Sequence, residues 1–248
     1  MKHTWRRYTE CSALLAGLWM AGDAGASGLQ VAPTTVTLKS SQNAEGLWLS
    51  NTGDNVVHAQ VRVYHWTQND QQDRLVASRG LVISPPMVQL APGDRQLIRV
   101  IRTGAPPSGA NAAEDAYRLA IDELPVGAEG KRGLQFVLHY SLPIFIEPLG
   151  TKVGPQLQWD LHRRGEDIVL QVSNRGGSHA QLASLSYIGT DGHRTEINPG
   201  LLGYVLPGAT MQWMLKPPAS AFPAGGTLEA MINGEKALQN LSLSDHPR

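Results

Sequence analysis

The chain has 248 residues with 21 Lys+Arg against 21 Asp+Glu, so it offers no net charge with which to attract nucleic acid. Its single cysteine, Cys11, excludes an internal disulfide framework and thiolate metal sites. The length suffices for one large or two ordinary domains, whose stability must come from packed cores.

The N-terminus reads as an export signal. Lys2, Arg6 and Arg7 give a positive start, and Ser12 to Met20 form a short apolar stretch. Ala24-Gly25-Ala26 has the small-x-small form that signal peptidase accepts, which predicts removal of residues 1–26. The apolar run is too short to span a bilayer, so no direct membrane insertion is expected. Cleavage removes Cys11 and leaves a secreted, thiol-free chain close to neutral.

From Leu29 onward, apolar and polar residues alternate over short runs separated by Gly, Pro, Asn and Asp. Strands are predicted at Leu29–Leu38, Ala44–Asn51, Val56–Trp66, Leu81–Ser84, Met87–Ala91, Gln96–Thr103, Ala116–Glu123 and Leu134–Glu147. Turns fall at Asn51-Thr52-Gly53-Asp54, Ala91-Pro92-Gly93-Asp94 and 125–133. After Gly150 the texture repeats, with strands at Gln156–Leu161, Asp167–Ser173, Ala180–Tyr187, Leu201–Leu206, Ala209–Leu215 and Thr227–Ile232. Asn174-Arg175-Gly176-Gly177 occupies the place after its second strand that Asn51-Thr52-Gly53-Asp54 holds in the first block. The expected fold class is all-β, two immunoglobulin-like β-sandwich domains spanning 27–149 and 150–248; a single large barrel is the alternative.

One strand differs from the others. Leu134, Phe136, Leu138, Tyr140, Leu142, Ile144 and Ile146 keep strict period two. At about 3.3 Å per residue that run spans roughly 43 Å, more than twice a typical strand. Two readings stand side by side: a long core strand that continues into the domain linker, or a strand whose first half pairs with a foreign chain by β-augmentation.

The sequence resembles the periplasmic pilus (fimbrial) assembly chaperones of the chaperone–usher pathway, the PapD-like proteins. The resemblance is carried by Val31-Ala32-Pro33, Leu47-Trp48-Leu49-Ser50-Asn51-Thr52-Gly53, Ala59-Gln60-Val61-Arg62-Val63 with Trp66, and Leu90-Ala91-Pro92-Gly93. It continues through Gln96 to Val100, Tyr117-Arg118-Leu119, Leu134-Gln135-Phe136 and, in the second block, Asn174-Arg175-Gly176 and Gly203 to Gly208. Tyr140-Ser141-Leu142-Pro143-Ile144-Phe145 is most similar to the archaic branch. The resemblance implies a boomerang of two sandwiches that lends a strand to pilus subunits and hands them to an outer-membrane usher. It implies a donor strand over Leu134–Leu142, with Leu134, Phe136, Leu138, Tyr140 and Leu142 as its subunit-binding residues. In that family an Arg on the first strand and a Lys late in the donor strand grip the subunit's terminal carboxylate. The corresponding positions here are Thr35 and Pro143, which carry no charge. Arg118 is the expected substitute, with Arg99 and Arg102 as weaker candidates.

Chemistry is not written in the chain. There is no G-x-S-x-G, H-E-x-x-H or phosphate-loop pattern, and the histidines are scattered, so no catalysis, metal or cofactor is expected. Self-association of the free chain is a further expectation, since an apolar strand edge seeks cover. The alternative function is a secreted two-domain adhesin or carbohydrate-binding protein, which would cluster aromatic residues on loops or one sheet face.

Overall fold

The computed structural model describes residues 28–125, 137–165, 167–222, 225–241 and 243; the predicted signal segment, Leu134 and Phe136 lie outside them. The first ten strands are β1 (Leu29–Ala32), β2 (Val36–Leu38), β3 (Ala44–Asn51), β4 (Val57–Asn69), β5 (Gln72–Ala77), β6 (Leu81–Ser84), β7 (Met87–Leu90), β8 (Arg95–Arg102), β9 (Asp115–Leu124) and β10 (His139–Ile146). Seven more follow: β11 (Leu157–Arg164), β12 (Asp167–Asn174), β13 (Ala180–Ile188), β14 (Arg194–Val205), β15 (Thr210–Leu215), β16 (Thr227–Ile232) and β17 (Glu235–Asn240). A single short 3-10 turn at Ala219–Ala221 is the only helical element among the described residues.

Two sandwiches result. In the first, a sheet ordered β1-β3-β8-β6 faces a sheet ordered β2-β10-β9-β4-β5, with β7 also pairing β4. In the second, β11-β12-β15 faces β14-β13-β16-β17. The period-two pattern acts as expected: Leu47, Leu49, Val57, Ala59, Val61, Ile98, Val100, Leu119 and Ile121 point inward into one core. The predicted single strand Leu29–Leu38 is instead two short ones in different sheets. β1 pairs antiparallel with β3 and β2 pairs parallel with β10. Pro33 stands at the crossing, where a residue without an N–H costs no ladder bond.

The repeated Asn-x-Gly motifs are the same device built twice. Asn51 donates its side-chain amide to the carbonyls of Asn55 (2.7 Å) and Leu90 (3.0 Å) and accepts from Gly53 N–H. Asn174 likewise donates to Ser178 (2.7 Å) and Val205 (3.0 Å) and accepts from Gly176 N–H. Each Asn backbone carbonyl accepts from a glycine at positive φ, Gly93 (φ 83) or Gly208 (φ 75). Both asparagines are 1% exposed, and each satisfies backbone groups that the turns leave over.

The sandwiches meet through an apolar cluster and a few named polar contacts. Trp66, Ala116 and Phe145, on the outer face of the β10-β9-β4 sheet, belong to the core cluster of the second sandwich. The Phe145 ring lies flat on His179 at 3.6 Å between centroids with 4° between planes. Glu114, whose side chain is almost fully buried, accepts from the His179 backbone N–H (2.9 Å) and contacts its ring Nδ1 (2.7 Å). Gln68 closes the seam: its amide donates to Tyr204 O (2.9 Å) and accepts from Leu206 N–H (2.8 Å). A side chain thus mimics a strand partner across the boundary.

Asn174→Ala removes the two buried hydrogen bonds to Ser178 O and Val205 O, together with those its Oδ1 accepts from Gln156 and Gly176 N–H, and leaves the two carbonyls unpaired. It is expected to cost about 2–3 kcal/mol, read as a lower urea midpoint for the second sandwich at unchanged slope.

Candidate functional site: an open strand edge and a caged arginine

β10 has two unequal neighbours. β9 pairs with it along its whole length, from His139↔Asp122 to Ile146↔Asp115. β2 covers only Ile144, Phe145 and Ile146 on the other side. Antiparallel ladders alternate the direction of backbone groups. Glu123 N–H donates to Leu138 O (2.9 Å), so Leu138, Tyr140 and Leu142 turn their backbone groups toward β9. Glu147 N–H donates to Leu38 O, so the odd-numbered residues turn theirs toward β2. His139 and Ser141 therefore direct N–H and C=O to an edge where no strand stands among the described residues. Pro143, with no N–H to offer, falls on that same edge at the point where β2 begins.

The side chains of this edge grade from core to rim. Leu142 is 7% exposed and packs into the first sandwich's core. Of the residues expected on a subunit-binding face, it is the one that lies where the two sheets already close over it. Tyr140 and Leu138 are half-buried against the same core, and the Tyr140 hydroxyl donates to Leu29 O (2.7 Å). Leu134 and Phe136 fall outside the described residues. On the opposite face Asp122 joins Arg62 (2.6 Å) and His139 (2.5 Å). The bond from Arg62, followed by that from His139, holds the Asp122 carboxyl below the ordinary carboxylate value. The rim of β10 is thus apolar inward and charged outward.

On β9, across from the middle of β10, stands Arg118. It is the cross-strand neighbour of Pro143. Side chains directly opposite share a face, here the one turned to the second sandwich. The guanidinium carbon lies 3.7 Å from the Trp66 ring centroid and 5.0 Å from that of Tyr204. Burial draws the guanidinium below its ordinary pKa, while Asp73 and then Tyr204 act in the opposite direction. Among the described residues the Arg118 side chain makes no hydrogen bond or ion pair, so its guanidinium donors are free for an incoming anion. A half-buried, unpaired guanidinium between aromatic faces is suited to a carboxylate.

The other candidates stand elsewhere. Arg99 is exposed on β8, paired opposite Gly46 and Ser84 in the other sheet. Arg102 is spent on local bonds to Ser40 O (3.2 Å) and Asn43 Oδ1 (3.0 Å), with Nε and one terminal nitrogen buried without a partner. Both lie on β8, in the sheet that does not contain β10. Thr35 precedes the Val36↔Ile144 pairing and so flanks Pro143, as the sequence comparison places it. Sequence reasoning missed Trp66, Asp73 and Tyr204 as the surround of Arg118, because contacts between sandwiches leave no local pattern.

Among the described residues no group of three His, Cys, Asp or Glu is arranged to hold a metal ion. No helix among them is long and apolar enough to cross a membrane. The adhesin reading asks for an aromatic cluster on one face. Instead Trp66 is 1% exposed, Trp159 and Trp213 pack on the second core, and Trp48 alone is exposed, beneath Arg95 at 4.6 Å.

Comparison with known proteins agrees with this geometry. Residues 28–152 match the family model described as pili and flagellar-assembly chaperone, PapD N-terminal domain. No curated protein sequence matches the chain. A chain from the chaperone–tip adhesion subunit complex CsuC–CsuE, of the archaic Csu pili of Acinetobacter baumannii, superposes with a TM-score of 0.67 at 22% identity, covering 88% of this chain and 99% of that one. The Salmonella enterica SafA pilin–SafB chaperone complex gives 0.61 at 18% identity, with 87% and 97% covered. The Pseudomonas aeruginosa CupB2 chaperone gives 0.58 at 18%, with 87% and 100% covered. These likenesses fix the fold, two immunoglobulin-like sandwiches in tandem, and the family model fixes the kinship. The chain belongs to the family of pilus and flagellar-assembly chaperones.

Proposed function

We propose that this chain is a periplasmic chaperone that captures pilus subunits by lending them the open edge of β10, and passes them to an outer-membrane usher. The observation that carries this reading is the mismatch between β10 and β2: His139 and Ser141 offer backbone donors and acceptors to an edge that β2 does not reach. A subunit lacking a strand would complete the ladder, and main-chain hydrogen bonds would hold it in register. The chaperone–subunit complexes among its structural likenesses, CsuC with CsuE and SafB with SafA, support a partner of this class.

Leu134, Phe136, Leu138 and Tyr140 form the donor face. Leu142 is left out, because it is already buried at home. Burial of such side chains at about 1.5–3 kcal/mol each supplies the gross driving force, from which ordering and association costs are subtracted. Arg118 takes the subunit's terminal carboxylate in place of the uncharged Thr35 and Pro143. Strand exchange breaks no covalent bond and consumes no nucleotide, so the chain works as a binding protein and not as an enzyme. Export removes residues 1–26, and the working protein comprises domains at 27–149 and 150–248.

Co-export with a subunit encoded beside its gene is expected to give a stable one-to-one periplasmic complex. Leu138→Glu should abolish that complex while the purified chain keeps its unfolding midpoint, since Leu138 is only half-buried. Leu142→Ala should instead cost about 2–5 kcal/mol of stability, because it leaves a cavity in the core. If Leu138→Glu unfolds the chain and Leu142→Ala does not, the division between core and donor face is wrong. Arg118→Ala should weaken capture without lowering stability; unchanged capture would remove Arg118 from the anchor.

A further inference from the structure

Arg118 belongs to the first sandwich, but its surroundings belong to both. The Trp66 indole N–H donates to Asp73 Oδ1 (2.9 Å), which fixes the ring on whose face the guanidinium lies. Asp73 also accepts from the Gln68 amide (2.9 Å), the side chain that binds Tyr204 O and Leu206 N–H across the boundary. Tyr204 meets Trp66 edge-on, with centroids 5.4 Å apart and planes at 82°. Its hydroxyl accepts from the Gln181 amide at 2.9 Å, a bond within the second sandwich. Two rings at nearly a right angle therefore make a corner for one guanidinium, and one wall of that corner comes from each sandwich.

The corner also restricts which ligand Arg118 can hold. Asp73 accepts from Trp66 and Gln68 through Oδ1 and forms no ion pair with Arg118 among the described residues. It acts on the guanidinium only at longer range. The aromatic faces supply attraction but accept no N–H bond along the guanidinium edge. The corner thus holds the guanidinium through two aromatic rings and gives it no carboxylate partner, which leaves its N–H donors to pair with a carboxylate that arrives from outside.

We propose that Tyr204 is a positioning residue for the carboxylate anchor, so that the grip of Arg118 on a client's C-terminus depends on the junction between the two sandwiches. The inference rests on the reading of Arg118 as that anchor and adds the second sandwich to it. Rotation of one sandwich against the other would open the aromatic corner and release the guanidinium to swing. Correct packing of Gln68, Tyr204 and Leu206 holds it in place. The second sandwich, which contributes no residue to the open β10 edge, gains a direct part in client binding.

The test uses the exported full-length chain, isotope-labelled so that the Arg118 Nε–H signal is read by NMR, with Arg118→Ala assigning the signal. Acetate is the carboxylate probe and acetamide the uncharged control. In the parent chain acetate should shift the signal saturably and acetamide should not. Tyr204→Leu keeps apolar bulk and removes the aromatic face; it should weaken the acetate response about three- to tenfold. Tyr204→Phe should leave the response intact. Gln68→Ala, which cuts the two boundary bonds and leaves both rings, should weaken it in the same direction and serves if Tyr204→Leu does not fold. An unchanged acetate response in folded Tyr204→Leu, or in Gln68→Ala where that variant stands in, overturns the positioning role while leaving the anchor reading intact. Failure of the parent Arg118 signal to distinguish acetate from acetamide overturns the anchor reading itself.

Discussion

The structure turns on a strand whose two edges are not equally served. Every backbone N–H and C=O in a sheet must find a partner or water. Among the described residues β10 satisfies one edge fully through β9 and the other only over Ile144–Ile146 through β2. In water the remainder costs little, since solvent replaces the missing strand. The same groups become adhesive once a foreign strand arrives, because pairing then proceeds without disturbing any bond already made. The short β2 is thus as important as the long β10: a longer β2 would have closed the edge.

Holding such a strand steady requires that its other end be immovable. Ile144, Phe145 and Ile146 are each no more than 2% exposed. The even-numbered pair enters the first core, while Phe145 faces the other way and stacks on His179 of the second sandwich. β10 is therefore gripped on both faces where it leaves the first sandwich and on one edge alone at its rim. Arg118 lies at the transition between these regimes, opposite Pro143 and within the aromatic corner. A client pairing along the rim would run its chain toward this cation, so main-chain register and terminal charge would be read by one continuous surface.

Much of this was legible in the sequence. Period-two alternation located most strands to within a few residues, since the two faces of a sandwich strand see different solvents. The matched turns at Asn51 and Asn174 announced a repeated sandwich, and these two residues do perform the same hydrogen bonding. Other features were not legible for physical reasons. Leu29–Leu38 looks continuous because side-chain alternation survives a change of sheet; only backbone pairing tells β1 from β2. β5 escaped notice because all six of its residues are exposed and it lacks a buried face to pattern it. Leu142 and Leu138 share one periodicity, yet one is core and the other rim, a difference set by where the opposing sheet ends. The surround of Arg118 joins Trp66 to Tyr204, residues from different sandwiches, and no local spacing encodes that meeting.

The central claim concerns the backbone of two residues, and amide hydrogen exchange reads it directly. His139 and Ser141 should exchange freely in the isolated chain, while Tyr140 and Leu142, bonded to β9, should be protected. In a purified complex with a pilus subunit, His139 and Ser141 should become as slow as their neighbours. Fast exchange at both residues in the complex, or full protection in a monomeric free chain, would contradict strand donation.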